Sequence, residues 1–431
     1  MTRRLLPLLL LLLALSGCSL SDRGATETSA GTATTAGATT TTEDPAAAAT
    51  LAQVEALIPV TERLRGLDFI EPPNIVVVTP DELEVRVRDL IADELDTDEL
   101  ARDQATLELL GVLPPGTSLE TLYLDLYGEQ VGGFYDLETQ ELVVPASSAE
   151  LSVKDRVVIV HELVHALTDQ HFGHGVDGLD LADEERFDEH TALAAVVEGD
   201  AVRIESAYIR TLGPTEIEQL LAEYEGVDSS VFDAAPHYIQ ESLIWAYLEG
   251  FAFMEDLGGT NDSADDVYGA VPVSTEQVAD PDRYRLGEAP IAVTIDTMVP
   301  AGYEIGESST WGYASLEALL GAEVAPGPLA AAIDGWGGDR YRILFDGTSA
   351  IFQLHYVGDS QDDLRELAEA LETYFTARIE EGDAWRLRTD GTTLVAITGD
   401  DPEAVNAIVD DLGFDTIDSL PPPPTTTTTE G

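Results

Sequence analysis

The apolar and polar positions of the chain mark out its elements. Residues 75–78 form an unbroken apolar run, as a buried strand requires, and Thr79-Pro80-Asp81-Glu82 opens a helix with acids near the positive end of its dipole. Residues 134–136 and 142–144 flank a four-residue turn and predict a β-hairpin. Ser152, with Asp155 three residues on, makes a capping box for a long helix running to about His171. Helical periodicity continues over about 186–212, 215–225 and 236–257, and Ser274 with Gln277 starts a shorter helix. Beyond Gly335 the order becomes ββαββα, with strands at 341–345, 351–356, 385–388 and 393–397 and helices at 361–380 and 402–412. The expected class is α+β: a mostly helical region with a small strand region, then a C-terminal α+β unit.

Charge narrows the possible partners. Asp and Glu number 82 against 21 Lys and Arg, a formal charge of −61. No nucleic-acid partner is expected, because nothing here neutralises a row of phosphates. The same imbalance argues against docking on anionic lipid through a basic face. At 44% hydrophobic residues the chain can still bury a core, and its single cysteine rules out a disulfide framework.

Both ends read as unstructured. Met1-Thr2-Arg3-Arg4 and the apolar run 5–15 form the n- and h-regions of an export signal, expected to span 1–17. Leu15-Ser16-Gly17-Cys18 resembles the bacterial lipobox, which implies cleavage before Cys18, lipidation of its thiol and anchoring of an exported protein to a bacterial membrane. Residues 18–47, rich in Thr, Ala, Ser and Gly, read as a flexible tether with a reach of roughly 30 Å. The Pro/Thr tail 421–431 reads likewise, leaving 48–335 and 336–420 as the folded regions.

One pentapeptide carries chemistry. His161-Glu162-Leu163-Val164-His165 is an H-E-x-x-H on a predicted helix, and the i, i+4 spacing sets both imidazoles on one face, where they can share a metal. Glu162, one position on, reaches a water at that metal and serves as general base. The flanking residues Val157, Val158, Ile159, Val160, Ala166 and Leu167 make the helix apolar nearly all round. His161, Glu162, His165 and Thr168 are then a buried polar stripe that needs partners, and a zinc ion satisfies it better than internal hydrogen bonds alone. A catalytic zinc takes three protein ligands, and Glu198 is the choice for the third. It follows the apolar run 192–197, where a carboxylate is costly unless a cation answers it. The bland alternative is that Glu198 pairs with one of the few arginines. Gly199 in mid-helix implies that another helix or the metal approaches closely.

These residues carry a resemblance. HELVH followed by Glu198-Gly199-Asp200-Ala201 is similar to the gluzincin zinc metallopeptidases, in which a downstream helix supplies a glutamate ligand. The segments VGGFYD (131–136), HELVHALTDQHF (161–172), VVEGDA (196–201), YLEG (247–250) and STEQ (274–277) further resemble bacterial exported metallopeptidases, over roughly 70–345. The chain departs from the thermolysin pattern, whose Glu-x-x-x-Asp would want an acid where Val202 stands. The rival metzincin pattern, H-E-x-x-H-x-x-G-x-x-H, would recruit His171. Thr168 occupies its glycine position, where a β-branched residue is strained in the turn required, so Glu198 is preferred.

The resemblance implies a peptidase with one zinc per chain, peptide or protein substrates, and a Tyr, His or Arg that stabilises the oxyanion. Tyr247 is the candidate, with Tyr238 and His237 on the same predicted helix; Met298, in a loop, would be the Met-turn of the metzincin alternative. The hairpin at 133–144 presents an edge that an extended peptide could extend. A different class of function is a binding lipoprotein on a degenerate protease fold, which would have no need of Glu162. A purely structural zinc site is disfavoured by the lack of cysteines.

Overall fold

Two sheets, with helices between and around them, organise the chain into a mixed α+β fold. The computed structural model describes residues 45–94, 97–130, 132–147, 150–173, 186–380, 382–413 and 415–416. The expected signal 1–17, Cys18, most of the tether and the tail from Pro421 lie outside the described residues. No helix among the described residues is long and apolar enough to cross a membrane.

The first sheet comprises β1 (Asn74–Val78), β2 (Phe134–Asp136) and β3 (Glu141–Pro145) in the order β1-β3-β2. β1 runs parallel to β3, and β2 returns antiparallel to it as the predicted hairpin. Against this sheet lies helix Val153–Phe172, which carries HELVH. Its start is the predicted capping box: Ser152 Oγ accepts from the Asp155 amide while Asp155 accepts from the Ser152 amide, worth about 1 kcal/mol. It ends at Gly173, whose φ of +66° is the left-handed cap that a side chain would resist. Its apolar faces, including Val157, Val160, Leu163 and Val164, pack with Val54, Leu57, Leu142, Val144 and Ile204. Val54 and Leu57 belong to helix Pro45–Arg65, which begins inside the stretch assigned to the tether. Its Ala- and Thr-rich first turns look like the linker that precedes them.

Helix Phe187–Ile209 carries Glu198 and packs on both the HELVH helix and helix His237–Asp256. At the second crossing a Cβ on Gly199 would lie 2.2 Å from the Gly250 carbonyl oxygen, and one on Gly250 would lie 1.9 Å from that of Ala195. Gly199 therefore serves the close approach of another helix.

The second sheet is antiparallel, with strand order β4-β5-β6-β8-β7-β9. Its strands are β4 (Glu304–Ser309), β5 (Trp336–Phe345), β6 (Ala350–Gly358), β7 (Ala384–Asp390), β8 (Thr393–Gly399) and β9 (Asp415–Thr416). Helix Gln361–Arg378 covers one face through Leu367, Leu371 and Phe375. Helix Pro402–Leu412 covers the other through Val405 and Ile408. β5 to β8 and these helices form the expected ββαββα order.

The two sides of the expected boundary between 335 and 336 are joined in two ways. β4, on its N-terminal side, pairs with β5 through hydrogen bonds that a sequence as polar as Glu-Ile-Gly-Glu-Ser-Ser does not advertise. Leu109, Leu110 and Val112 from the N-terminal part also share the core of Phe352, Leu367 and Phe375, so the sheet's core does not close without them.

Candidate metal centre

The HELVH spacing does what helical geometry dictates: the His161 and His165 rings stand edge to face on one surface, their centroids 4.7 Å apart. Glu198 enters from the neighbouring helix. Its Oε2 lies 3.1 Å from His161 Nε2 and its Oε1 3.5 Å from His165 Nε2. One ligand atom from each residue falls within 4.8 Å of the others, and all three residues are buried. A tetrahedral ion with ligands at about 2.0–2.2 Å holds its donor atoms about 3.3–3.6 Å apart. The spacing found here has that character. Glu198 Oε1 is buried without a hydrogen-bond partner, an orphaned acceptor facing an imidazole nitrogen. Two imidazoles and a carboxylate, with no thiolate, are a donor set suited to zinc. The residues present fit the ion.

Electrostatics point the same way. Burial raises the carboxyl pKa of Glu198, and burial pushes Glu162 up to about 8, with the Glu198 charge adding to it. Burial opposes the His161 imidazolium, but hydrogen bonds to Glu198 and Glu205 outweigh it and leave that pKa well above the usual histidine range. Buried carboxylates gathered round two imidazoles in this way invite a cation.

Glu205 is a site residue that sequence reasoning missed. Its Oε2 sits 3.2 Å from His161 Nδ1, an arrangement that aims Nε2 at Glu198. It lies seven residues, about two turns, beyond Glu198, and the signal available was this shared helical face. Position 202, where the thermolysin pattern wants an acid, is an apolar packing residue here.

Tyr247 comes to the site, but its hydroxyl hydrogen-bonds the Glu198 carboxylate. Its ring stacks on His161, the planes 18° apart and the centroids 6.1 Å apart. The Gly199–Gly250 crossing, less than one turn away, sets this distance. Tyr247 thus touches two of the three ligand candidates, Glu198 through its hydroxyl and His161 through its ring.

The remaining candidates lie elsewhere. His171 is exposed at the end of its helix, with Nε2 2.8 Å from the Asp68 carbonyl. Tyr238 hydrogen-bonds Trp311 and Ser315, and His237 lies against Gly321. Met298 belongs to a segment strapped to the second sheet, its carbonyl accepting from Arg342 and its amide donating to Asp411. Ser274 is a helix cap, as its spacing implies.

Glu162 reaches the first sheet, where its Oε2 accepts from the Tyr135 amide at 2.9 Å. That amide lies on β2, so the edge proposed for peptide pairing already has this N–H engaged.

One family model, described as a domain of unknown function (DUF8575), matches residues 276–412. The similarity covers the second sheet from β4 to β8 with its flanking helices and contains none of His161, Glu162, His165 or Glu198. No curated protein and no solved structure matches the chain.

Proposed function

We propose that this protein is an exported, lipid-anchored, zinc-dependent peptidase with a gluzincin-like core. The observation that carries the reading is the buried His161–His165–Glu198 constellation with Glu162 beside it. When bound, zinc supplies a Lewis acid that activates a water and polarises a carbonyl. His161 and His165 would hold it through Nε2 and Glu198 through its carboxylate, with Glu205 fixing the His161 tautomer and Tyr247 steadying Glu198. Glu162 takes the proton of the attacking water and delivers it to the leaving amine. In the metal-free protein its pKa of about 8 suits that exchange, since it lies near neutral pH rather than about 2.5 units below it, as an ordinary glutamate's does. The low-dielectric surroundings strengthen each of these interactions. Anchoring rests on Cys18 and its lipobox-like setting.

The test is Glu162→Gln. The amide keeps the side chain's shape and cannot take a proton, so zinc content should match wild type while hydrolysis of an unstructured protein such as casein falls by about 10²–10⁴-fold. Activity within a few-fold of wild type would show that another group is the base.

A further inference from the structure

Glu162 is held by more than its place on the helix. Its Oε2 takes the Tyr135 amide, and the phenol of the same tyrosine donates to Asp169 Oδ2 at 2.8 Å. Asp169 lies on the Glu162 helix seven residues on, about two turns away. One residue of β2 therefore spans two turns of the HELVH helix, bonded to it at each end. A third bond comes from the other side of the hairpin: Gln140 Nε2 donates to the same Asp169 oxygen at 3.2 Å. Gln140 is the only non-glycine residue with positive φ among the described residues, at +55°, a conformation that costs about 1 kcal/mol or more. That strained turn directs its carboxamide onto Asp169.

β2 is the edge of its sheet, paired as a strand with β3 alone among the described residues, and is three residues long. Such a strand has little of its own to fix its height above a helix. Asp169 is buried, so its bonds to the hairpin form in low dielectric.

We propose that Tyr135 and Asp169 are positioning residues for Glu162. The phenol–carboxylate bond holds the edge strand where its amide restrains one oxygen of the base, leaving the other to work on the water. The kinetic consequence rests on the peptidase reading; the mechanical one does not.

The test uses the full chain with two readouts. In metal-free protein, hydrogen exchange of the Tyr135 amide should quicken about tenfold in Tyr135→Phe and Asp169→Ala, the effect of one lost hydrogen bond. It should change little in Asp169→Asn, whose amide oxygen still accepts from the phenol. The Val143 and Val144 amides of β3 serve as controls. With zinc bound, kcat for a peptide substrate should fall about tenfold in Tyr135→Phe with KM within about twofold, and Asp169→Asn should retain most of it. An unchanged Tyr135 amide in either disrupting variant would overturn the proposal. So would acceleration spread equally over β3, which would mark a general structural role. If Tyr135→Phe folds poorly, Asp169→Ala against Asp169→Asn decides the matter alone. A wild-type chain that binds zinc but cleaves nothing would overturn the peptidase reading, while the exchange result would still decide whether Tyr135 and Asp169 hold the edge strand in place.

Discussion

Glu198 and Asp200 stand two residues apart on one helix, both with no exposed surface, and their surroundings answer them in opposite ways. Asp200 receives Arg65 Nε on one oxygen and Arg203 Nη2 on the other, each at 2.7 Å. Arg65 is itself fully buried, lies over the Phe172 and Tyr268 rings, and reaches a second carboxylate at Asp265. Glu198 faces two imidazoles and a tyrosine hydroxyl, and one of its oxygens has no hydrogen bond. The arginine that would have made Glu198 an ordinary buried ion pair went to Asp200 instead. A buried carboxylate with its cation supplied by the chain is architecture; one without it is the place to look for a metal.

The contrast can be broken most severely at Asp200. Asp200→Ala leaves Arg65 and Arg203 buried with their shared partner gone, and should cost about 3–5 kcal/mol of stability, read by chemical denaturation of metal-free protein. A loss below about 1 kcal/mol would mean that the arginines find water or other acceptors, and the distinction between the two carboxylates would dissolve.

Gly250→Ala probes the next level, where the helix crossing sets the site. The new Cβ would collide with the Ala195 carbonyl, so the helices must part, at about 1–3 kcal/mol, and Tyr247 should withdraw from Glu198. Weaker zinc binding should accompany the lost stability. Zinc affinity equal to wild type in a folded variant would detach Tyr247 from the site.

A second pair of buried acids gives a smaller effect. Asp188 accepts from the Thr275 amide and hydroxyl, and Asp339 from the Trp311 and Gly312 amides and the Trp336 indole. These donors are neutral, and burial raises Asp188 to about 7 and Asp339 to about 6. The native state therefore keeps protons that the unfolded chain gives up near pH 4. Their contribution to stability is fullest below that pH and is lost as pH rises through about 6 and 7. Thermal midpoints should be higher at pH 5 than at pH 8, and Asp188→Asn should flatten part of that slope. An unchanged slope would remove Asp188 as its source.

The sequence made the HELVH helix legible because burial and polarity conflict there, and Glu198 legible for the same reason. Glu205 escaped because a glutamate two turns along a helix carries no such conflict until the facing histidine is known. Tyr135 and Asp169 escaped because their link joins segments 34 residues apart. In the fold, β6 and β8 were readable from their apolar runs, whereas β4 is a polar strand held by its neighbour. Helix Pro45–Arg65 begins in the composition of a linker and owes its place to packing by Val54 and Leu57.

Glu198 is answered by imidazoles and a tyrosine hydroxyl and, among the described residues, by no arginine, which leaves its place open to a metal ion. The most direct test is zinc stoichiometry, after mild chelation and re-addition, in wild type, Glu198→Gln and His171→Ala. Wild type and His171→Ala should each take up one zinc per chain. Glu198→Gln should take up far less, because the site falls from three protein ligands to two and loses its carboxylate charge. A wild-type chain that takes up no zinc would contradict the account, as would zinc kept by Glu198→Gln and lost by His171→Ala.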